Sequence, residues 1–540
     1  MRTRGAIAVV AAQVLLCVGA AGCSTEAQMR SGSELVTHVS ALAEGDPELT
    51  APRARLGLGE GWGPSADELD EAATLVGDLT LPQLAGQVLV ADWSGTRPPV
   101  EMVRDLHLGG VIWFSGNITS ADQVRRANRA LRRADDRPWP LLVGVDQEGG
   151  LVERAGGVVT GLPSFMTGGA ARRPDLTRAA TAATGRELRG LGFTANFAPV
   201  ADVTVGAADP TIGTRAASSE PALVAEQVLA AARGYADAGL VSTLKHFPGH
   251  GSVREDSHVT LPVQPRSLAQ LQGRDLVPFR DAVAAGSSSV MVGHLDVRAV
   301  DPGVPASLSR DVVTGLLRTD LGFDGLVVTD SLAMAAVTRS YGPARAAVRA
   351  LRAGADVLLM PADPVAARDG IVAAVRRGDL TRRRLEQAAA RQVALLLHHR
   401  DARGAPPGSA RPQALAWSRA AVTVMSRTCQ GRLVGSRVQP VGDRDVVAAF
   451  TAAARSAGLR VGPRGTRVAL LRSASTSVRS DVAVAVGAPW VLAGSRARHL
   501  VATYGNTPGA MRALVEVLLG RRPAPGRVPV EVADVPARGC

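Results

Sequence analysis

The sequence has few aromatic residues and a single lysine. Phenylalanine, tryptophan and tyrosine make up 3% of the 540 residues, so a β-sandwich built on aromatic pairs is not expected. The abundant alanine, valine, leucine and glycine instead favour helices that alternate with buried parallel strands. Lys245 is the only lysine among the 61 strongly basic residues. A compact ammonium group at this position points to a geometric need that a planar guanidinium would not meet; chance survival of one lysine is the alternative.

Long apolar runs are absent outside the N-terminus. There, Arg2 and Arg4 precede an apolar stretch at 6–19, and small residues at 20–22 precede Cys23. This pattern is typical of a signal peptide and resembles a bacterial lipoprotein cleavage site. We therefore expect residues 1–23 to be a lipoprotein signal peptide and Cys23 to carry the lipid. The expected location is extracytoplasmic, anchored to the bacterial cell membrane; a plain secretory signal is the alternative.

Cysteine is also scarce, with four residues in the chain. Cys17 lies inside the expected signal peptide and Cys23 at its end, which leaves Cys429 and Cys540 in the same late segment. Disulfides persist in the expected compartment. We therefore predict a disulfide between Cys429 and Cys540 that ties the chain end to its domain.

The formal net charge of +12 comes from basic residues that are spread along the chain. They do not gather into runs interleaved with aromatic residues, which a nucleic-acid surface needs. Nucleic acid is therefore not an expected partner. A general attraction to anionic envelope polymers or lipid headgroups is consistent with the charge.

Eight short apolar runs follow one another from residue 87 to residue 360, and amphipathic stretches separate them. The runs are 87–92, 110–114, 141–146, 193–197, 241–245, 289–294, 326–330 and 356–360, with helical patterns at 121–132, 221–238 and 268–285. Eight strand–helix units within about 280 residues are typical of a (β/α)8 barrel. We expect the catalytic barrel over residues 66–400, preceded by a polar, glycine-rich tether at 24–65.

A segment rich in glycine, proline and arginine at 401–414 is expected to be a linker. After it, apolar runs at 468–471, 482–486 and 489–492 precede a helical pattern at 508–519. This alternation predicts a smaller three-layer α/β sandwich domain over residues 415–540. No glycine-rich phosphate-binding loop precedes its helices, so a nucleotide is not expected there.

Polar residues follow several of the predicted barrel strands. Asp146 follows the third strand, Lys245 and His246 the fifth, His294 the sixth and Asp330 the seventh. The C-terminal ends of barrel strands meet at one face of the barrel, where enzymes of this architecture build their sites. The sequence therefore predicts an active site at that face.

The densest polar segment begins at Lys245, and a metal site is the first interpretation to weigh. His246 and His250 are four residues apart, but Pro248 and Gly249 between them prevent a normal helix from presenting both rings on one side. A zinc site is therefore the weaker interpretation.

Two carboxylates in this half of the chain indicate acid–base and nucleophilic chemistry. Asp256 lies two residues from His258, close enough in a loop to orient the imidazole, which can then give and take a proton near neutral pH. Asp330 ends a β-branched strand before a turn of small residues, so its carboxylate is held rigidly at the barrel mouth. A nucleophile that attacks an anomeric carbon requires this placement. A helix N-cap made by Asp330 or Ser331 is the alternative.

Three segments together resemble family 3 of the glycoside hydrolases, and within it the β-N-acetylglucosaminidase branch. They are 245–251 with 256–258, 146–150 with Arg154, and 328–334, and the resemblance spans about residues 79–400. It implies that Asp330 is the nucleophile and that His258, partnered by Asp256, is the acid/base. It also implies a set of residues that bind the sugar hydroxyls and acetamido group: Asp146, Arg154, Arg215, Lys245 and His246. After Arg215 the chain continues with two alanines, where the family more often has Ser-Phe.

The resemblance implies a retaining exo-β-N-acetylglucosaminidase that acts on peptidoglycan-derived or related glycans, such as muropeptides, and needs no metal or organic cofactor. Three alternatives stay open at this point. Phosphorolysis is one, because a histidine does not repel phosphate as a glutamate does; a β-glucosidase is the second, although the Asp256–His258 pair argues against it. The third is a non-catalytic glycan-binding lipoprotein at the cell surface. His250 and His294 are candidate pocket residues, each with a purely structural role as the alternative.

Overall fold

The computed structural model describes residues 51–425, 431–473 and 479–535. The expected lipid site at Cys23 and the expected disulfide between Cys429 and Cys540 lie outside these residues. Within them, no helix is both long enough and apolar enough to cross a membrane.

A closed barrel of eight parallel strand positions forms the larger part of the molecule. The strands are Leu89–Ala91, Gly110–Trp113, Leu142–Val145, Ala195–Asn196, Val241–Ser242 continued by Leu244–Phe247, Ser289–Val292, Leu326–Thr329 and Leu358–Leu359. Each pairs in parallel with the next, and the eighth pairs with the first through Leu89 and Leu358. A parallel bridge between Val328 and Val357 joins the seventh and eighth positions. All eight predicted strands are present, and the predicted (β/α)8 fold is confirmed.

Helices surround the barrel and cover the outer side of the strands. The helices that follow the eight strands in turn are Val100–Leu106, Ala121–Arg132, Pro174–Leu191, Pro221–Asp237, Val277–Ala284, Asp311–Asp320 (a π-helix), Pro343–Ala353 and Pro364–Arg377. Three further helices, Ala66–Gly77, Leu81–Gln87 and Arg382–His398, complete the outer layer. The apolar strand residues and the inner helix faces form one continuous core.

Two predicted elements have different bounds in the structure. The predicted helix at 268–285 is two helices, Leu268–Gly273 and Val277–Ala284. The break contains Asp275, a fully buried carboxyl that accepts a hydrogen bond from Ser252 Oγ at 2.9 Å, so the chain bends to bury a polar group. The helix Arg411–Ala421 begins inside the segment expected to be a linker, because its proline lies in the first helical turn, where proline is tolerated.

Part of the expected tether packs against the barrel. Pro52–Leu56 is helical, and Leu56, Leu58 and Trp62 are buried in the barrel core. Arg53 forms an ion pair with Asp70 at 2.5 Å. Residues 52–62 therefore form part of the folded unit.

A six-stranded sheet follows the barrel. In spatial order its strands are Thr423–Val424, His499–Ala502, Val482–Ala485, Thr466–Leu471, Arg437–Gly442 and Arg460–Val461, all parallel except the first. Helices Arg444–Ser456 and Pro508–Leu518 cover one face. The apolar run at 489–492 is a short 3-10 helix, not a strand, on the opposite face. The sandwich architecture agrees with the predicted fold class.

The second face of this sheet lies against the barrel. Ala469 and Ala483 pack in one cluster with Met166 and Ala170, which belong to the barrel-side helix Met166–Ala171. The side chains of neighbouring strand residues point to opposite faces, so Val468 and Val482 pack instead with the covering helices. The central strands of the sheet, Thr466–Leu471, Val482–Ala485 and His499–Ala502, are thus covered on both sides.

A buried ion cluster closes the opposite end of the barrel from the predicted site. Asp356 is fully buried just before the eighth strand, and its carboxylate accepts the backbone N–H of Val327 at 2.9 Å. Arg318, Arg384 and Arg391 lie 2.5, 3.0 and 3.3 Å from it. Burial and the two neighbouring guanidinium groups lower the pKa of Arg318 to about 9. Asp356 is therefore the counter-charge that three closely spaced guanidinium groups share.

Candidate active site

A cavity of about 550 Å³ opens at the C-terminal ends of the barrel strands. It brings together residues that are up to 248 positions apart in the sequence, from Ile112 to Met360. The predicted site residues that line it are Asp146, Arg154, Arg215, Lys245, His246, His250, His258 and Asp330. The predicted convergence at this face is therefore present in the structure.

Asp330 follows the seventh strand and is 8% exposed. Its Oδ1 accepts the backbone N–H of Ser331 at 2.7 Å. Its Oδ2 has no hydrogen-bond partner in the described part of the chain. Burial alone would raise the pKa of Asp330, but the imidazoles of His246 and His294 outweigh it and hold the pKa below its ordinary value. The carboxylate is thus ionised and has one free oxygen in the cavity wall.

Four charged side chains form a compact cluster beside Asp330. Lys245 Nζ lies 2.6 Å from Asp146 Oδ1 and 2.7 Å from Glu148 Oε1. Arg215 donates two hydrogen bonds to Glu148, at 2.8 and 2.9 Å. Burial opposes ionisation of Glu148, but Arg215 and Lys245 hold its pKa well below the ordinary range. The two cations are fixed in place by two carboxylates that carry equal and opposite charge.

His246 is oriented by a buried carboxylate from the loop after the fourth strand. Its Nδ1 lies 2.8 Å from Asp202 Oδ2, while Asp202 Oδ1 accepts the backbone N–H of His250 at 2.6 Å. Burial would raise the pKa of Asp202, but the neighbouring His246 lowers it. An ionised Asp202 fixes the proton on His246 Nδ1, which leaves Nε2 as the nitrogen available in the cavity.

His250 and Arg154 line the cavity with unused hydrogen-bonding groups. Neither ring nitrogen of His250 has a partner among the described residues, although the side chain is 2% exposed. Burial lowers the pKa of His250, so the ring is neutral near pH 7. The Arg154 guanidinium lies 5.7 Å from the ring centroid of Phe114, and its buried Nε has no partner in the described chain. Both groups are available to a bound molecule.

The Asp256–His258 pair lies on a loop at the cavity rim. Asp256 Oδ1 is 2.7 Å from His258 Nδ1 and accepts the His258 backbone N–H at 2.9 Å. These bonds help to hold the pKa of Asp256 below its ordinary value against the effect of burial. The His258 side chain is 66% exposed, so its other nitrogen is free to reach a group in the cavity mouth.

The structure separates His294 from the cavity. His294 is fully buried, with Nδ1 2.7 Å from Ser307 Oγ and Nε2 2.8 Å from the Ser331 carbonyl oxygen. It does not line the cavity and instead holds the turn that follows Asp330. The structure therefore favours the structural alternative for this residue.

Two residues of the site, Glu148 and Asp202, were not predicted from the sequence. Glu148 lies inside the segment 146–150, to which the sequence assigned no role at that position, and Asp202 lies after the fourth strand, where the same strand-end rule that found Asp146 applies. The residues that they hold in place lie 44–97 positions further along the chain, so sequence spacing gave no direct signal.

No group of three or more His, Cys, Asp or Glu side chains in the described residues is arranged to hold a metal.

The chain matches the family model of the glycosyl hydrolase family 3 N-terminal domain over residues 80–395. It is 37% identical over 339 residues to β-hexosaminidase LpqI of Mycobacterium tuberculosis, an alignment that covers 60% of this chain and 83% of that protein. It is 40% identical over 260 residues to a β-hexosaminidase of Stenotrophomonas maltophilia, covering 47% of this chain and 76% of that protein.

Solved structures agree with these matches. A family 3 β-N-acetylglucosaminidase from Paenibacillus superimposes with a TM-score of 0.77 at 30% identity, over 84% of this chain and 99% of that one. A family 3 glycosyl hydrolase from Mycobacterium smegmatis superimposes with a TM-score of 0.56 at 36% identity, over 59% of this chain and 98% of that one. The chain belongs to glycosyl hydrolase family 3, and it is a glycoside hydrolase.

Proposed function

We propose that the protein is a retaining exo-β-N-acetylglucosaminidase. The observation that carries the proposal is the position of Asp330, an ionised carboxylate with a free oxygen in a cavity whose rim holds the Asp256–His258 pair. The names of the family relatives, β-hexosaminidase and β-N-acetylglucosaminidase, support an acetamido sugar as the group released.

In the first step, Asp330 attacks the anomeric carbon of the terminal sugar while His258 protonates the departing glycosidic oxygen. The C–O bond to the leaving group breaks, and a glycosyl–aspartate bond forms. Asp256 stabilises the protonated imidazole beforehand and keeps its Nδ1 protonated, so that Nε2 faces the leaving group.

In the second step, His258 takes a proton from water, which attacks the same carbon and releases Asp330. Two displacements at one carbon give a product with the configuration of the substrate. The cations of the cluster, Lys245 and Arg215, bind the ring hydroxyls and the acetamido group together with Asp146, Arg154 and His246. These contacts become stronger as positive charge develops on the ring, which lowers the barrier.

The natural substrate in this proposal is a glycan with a terminal β-linked N-acetylglucosamine, such as a peptidoglycan fragment. The signal sequence supports action outside the cytoplasm, with the chain anchored through Cys23.

An assay with aryl glycosides tests the proposed activity. The purified chain should release free sugar from an aryl β-N-acetylglucosaminide and should turn over the matching β-glucoside at least about 100-fold more slowly, because the buried hydrogen-bonding groups would lack the acetamido partner. Measurement of both rates with and without phosphate separates hydrolysis from phosphorolysis. A sugar phosphate as product would replace the hydrolase proposal, and no turnover of either glycoside by the folded chain would contradict it.

Glu148→Gln should impair substrate binding. The substitution removes the carboxylate that Arg215 pairs with and leaves Lys245 paired with Asp146 alone, so Arg215 loses its fixed position and Lys245 is held less firmly. We expect KM for the aryl N-acetylglucosaminide to rise roughly 10-fold or more, in line with the cost of unpairing a buried charge, with a smaller fall in kcat. Steady-state kinetics at pH 7 measures both values.

Glu153→Gln is the matched control on the same hairpin. Burial raises the pKa of Glu153 to about 7, so glutamine resembles the protonated form already populated at neutral pH. KM should change less than about 2-fold, since no cation is released.

Because the pKa of Glu153 is higher in the folded state than the ordinary 4.5, the stability due to this group is complete below pH 4.5 and is lost as pH rises through 7. The Glu153→Gln variant should therefore lose less stability than the parent between pH 6 and pH 8, as measured by urea unfolding. In the kinetic comparison, an equal rise in KM for Glu148→Gln and Glu153→Gln would contradict the role of Glu148.

A further inference from the structure

A groove of about 680 Å³ lies on the outer side of the barrel, between the helices that follow the sixth, seventh and eighth strands. Five arginines line it: Arg310, Arg345, Arg349, Arg352 and Arg377. We call it the arginine groove. It shares no lining residue with the catalytic cavity.

The arginines come from three separate elements. Arg345, Arg349 and Arg352 are spaced four and three residues apart in helix Pro343–Ala353, which places them on one face. Arg310 immediately precedes helix Asp311–Asp320, and Arg377 ends helix Pro364–Arg377. The fold therefore gathers basic residues that are scattered in the sequence.

The positive charge in the groove is poorly balanced. Among the described residues, Arg310, Arg345 and Arg352 have no carboxylate partner within 4.0 Å. Two acidic residues, Asp301 and Asp311, also line the groove, and Arg377 pairs with Asp379 at 2.9 Å, so five positive and three negative side chains leave a net charge of +2. Asp301 accepts a hydrogen bond from Ser309 Oγ at 2.6 Å and pairs with none of the arginines.

Two of the guanidinium groups lie near the same aromatic ring, and neither has a carboxylate partner among the described residues. The Cζ atoms of Arg345 and Arg349 lie 5.0 and 5.2 Å from the ring centroid of Tyr341, and Arg349 Nε donates to the carbonyl oxygen of Leu308 at 3.2 Å. Nearby like charges repel each other, and a bound anion lowers that repulsion. The ring and the carbonyl restrict the side chains beforehand, so less conformational entropy is lost on binding.

We propose that the arginine groove binds a linear polymer of phosphate groups. Each internal phosphate of such a polymer carries two charged non-bridging oxygens that match one guanidinium fork, and the regular spacing of the phosphates lets one chain contact arginines from several elements at once. The groove is concave, which suits a chain laid along it; a flat anionic bilayer would touch only its rims. Binding here would hold the enzyme beside an envelope polymer while the catalytic cavity stays open.

The test measures binding of the full chain to inorganic polyphosphate by fluorescence anisotropy across a range of salt concentrations. The triple substitution Arg345→Gln, Arg349→Gln and Arg352→Gln should weaken binding at least about 10-fold at 0.1 M salt, and the slope of log K against log salt should fall by about 2. Turnover of an aryl N-acetylglucosaminide, or the melting temperature if no glycoside is cleaved, shows that the variant is folded. The result is thus independent of the proposed hydrolase activity.

The matched control removes the same charge from a convex helix face. Arg126, Arg129 and Arg133 are exposed, lie three and four residues apart at helix Ala121–Arg132, and have no ion-pair partner among the described residues. Their triple change to glutamine should weaken binding less than about 3-fold. Equal losses in the two triple variants, or no binding by the parent chain, would overturn the proposal. Binding to phosphatidylglycerol vesicles but not to polyphosphate, lost in the groove variant, would overturn it in favour of a lipid surface.

Discussion

Asp330→Gly should lower kcat for an aryl β-N-acetylglucosaminide by roughly 10⁴-fold or more, the scale seen when a catalytic nucleophile is removed. The variant keeps the Asp256–His258 pair but has no group that can attack the anomeric carbon. Added azide should restore turnover, because the small anion fits the space left by the carboxylate. It attacks from the face that Asp330 occupied, so the product should be the α-glycosyl azide. Product configuration is read by NMR.

The His258→Ala variant is the companion to this experiment. It keeps Asp330, so a substrate with a good leaving group still forms the glycosyl–enzyme, and azide then attacks that intermediate from the opposite face. The expected product is the β-glycosyl azide. Opposite anomers from the two variants would assign the nucleophile and the acid/base independently. The β-azide from Asp330→Gly, or nearly normal activity without azide, would show that Asp330 is not the nucleophile.

Asp356→Asn should destabilise the protein by about 3–5 kcal/mol, the usual cost of breaking a buried ion pair from one side. The substitution preserves shape but leaves Arg318, Arg384 and Arg391 without their shared counter-charge. Urea unfolding followed by circular dichroism measures the change. Because the cluster lies at the barrel end away from the cavity, kcat of the folded variant should stay within about 2-fold of the parent at low temperature.

Asp379→Asn provides the control for this prediction. Asp379 pairs with Arg377 at 2.9 Å, but both side chains are about half exposed or more. Solvent screens such a pair, so the free energy of unfolding should change by less than about 1 kcal/mol. Similar losses from the two substitutions would mean that the charge balance of the Asp356 cluster is not what stabilises the barrel end.

The fold was predictable because its signals are local. Each barrel strand is a short buried apolar run with turn residues after it, and each can be identified without knowledge of its partners. The strand Arg437–Gly442 was missed, because its exposed and half-buried residues include arginine, glutamine and proline. His499–Ala502 was also missed, because a strand of four residues that begins with histidine carries little periodic signal. The helix break at Asp275 was also hidden, because its cause is a contact with Ser252 from another loop.

The site was predictable where its residues directly follow strands. Asp146 and Asp330 satisfy that rule, Lys245 lies within the second part of the fifth strand, and the structure brings the three together. Glu148 and Asp202 act on residues that are distant in sequence, so their roles depend on closure of the barrel. The arginines of the outer groove give the clearest case. Their spread along the chain was consistent with a general attraction to anionic polymers or lipid headgroups but gave no location for it, and the fold brings five of them into one groove.

Chemical labelling of the single lysine can measure local unfolding at the catalytic cavity. Apart from an α-amine, the chain has one primary amine, and in the folded state it is 3% exposed and held between two carboxylates. An amine-directed acylating reagent will therefore react with it only in molecules whose barrel mouth has opened. The mass of the peptide that contains Lys245, raised by one acyl group, counts those molecules, because the α-amine lies in a different peptide. The rate of Lys245 acylation therefore reports how often the structure around the catalytic cavity unfolds locally.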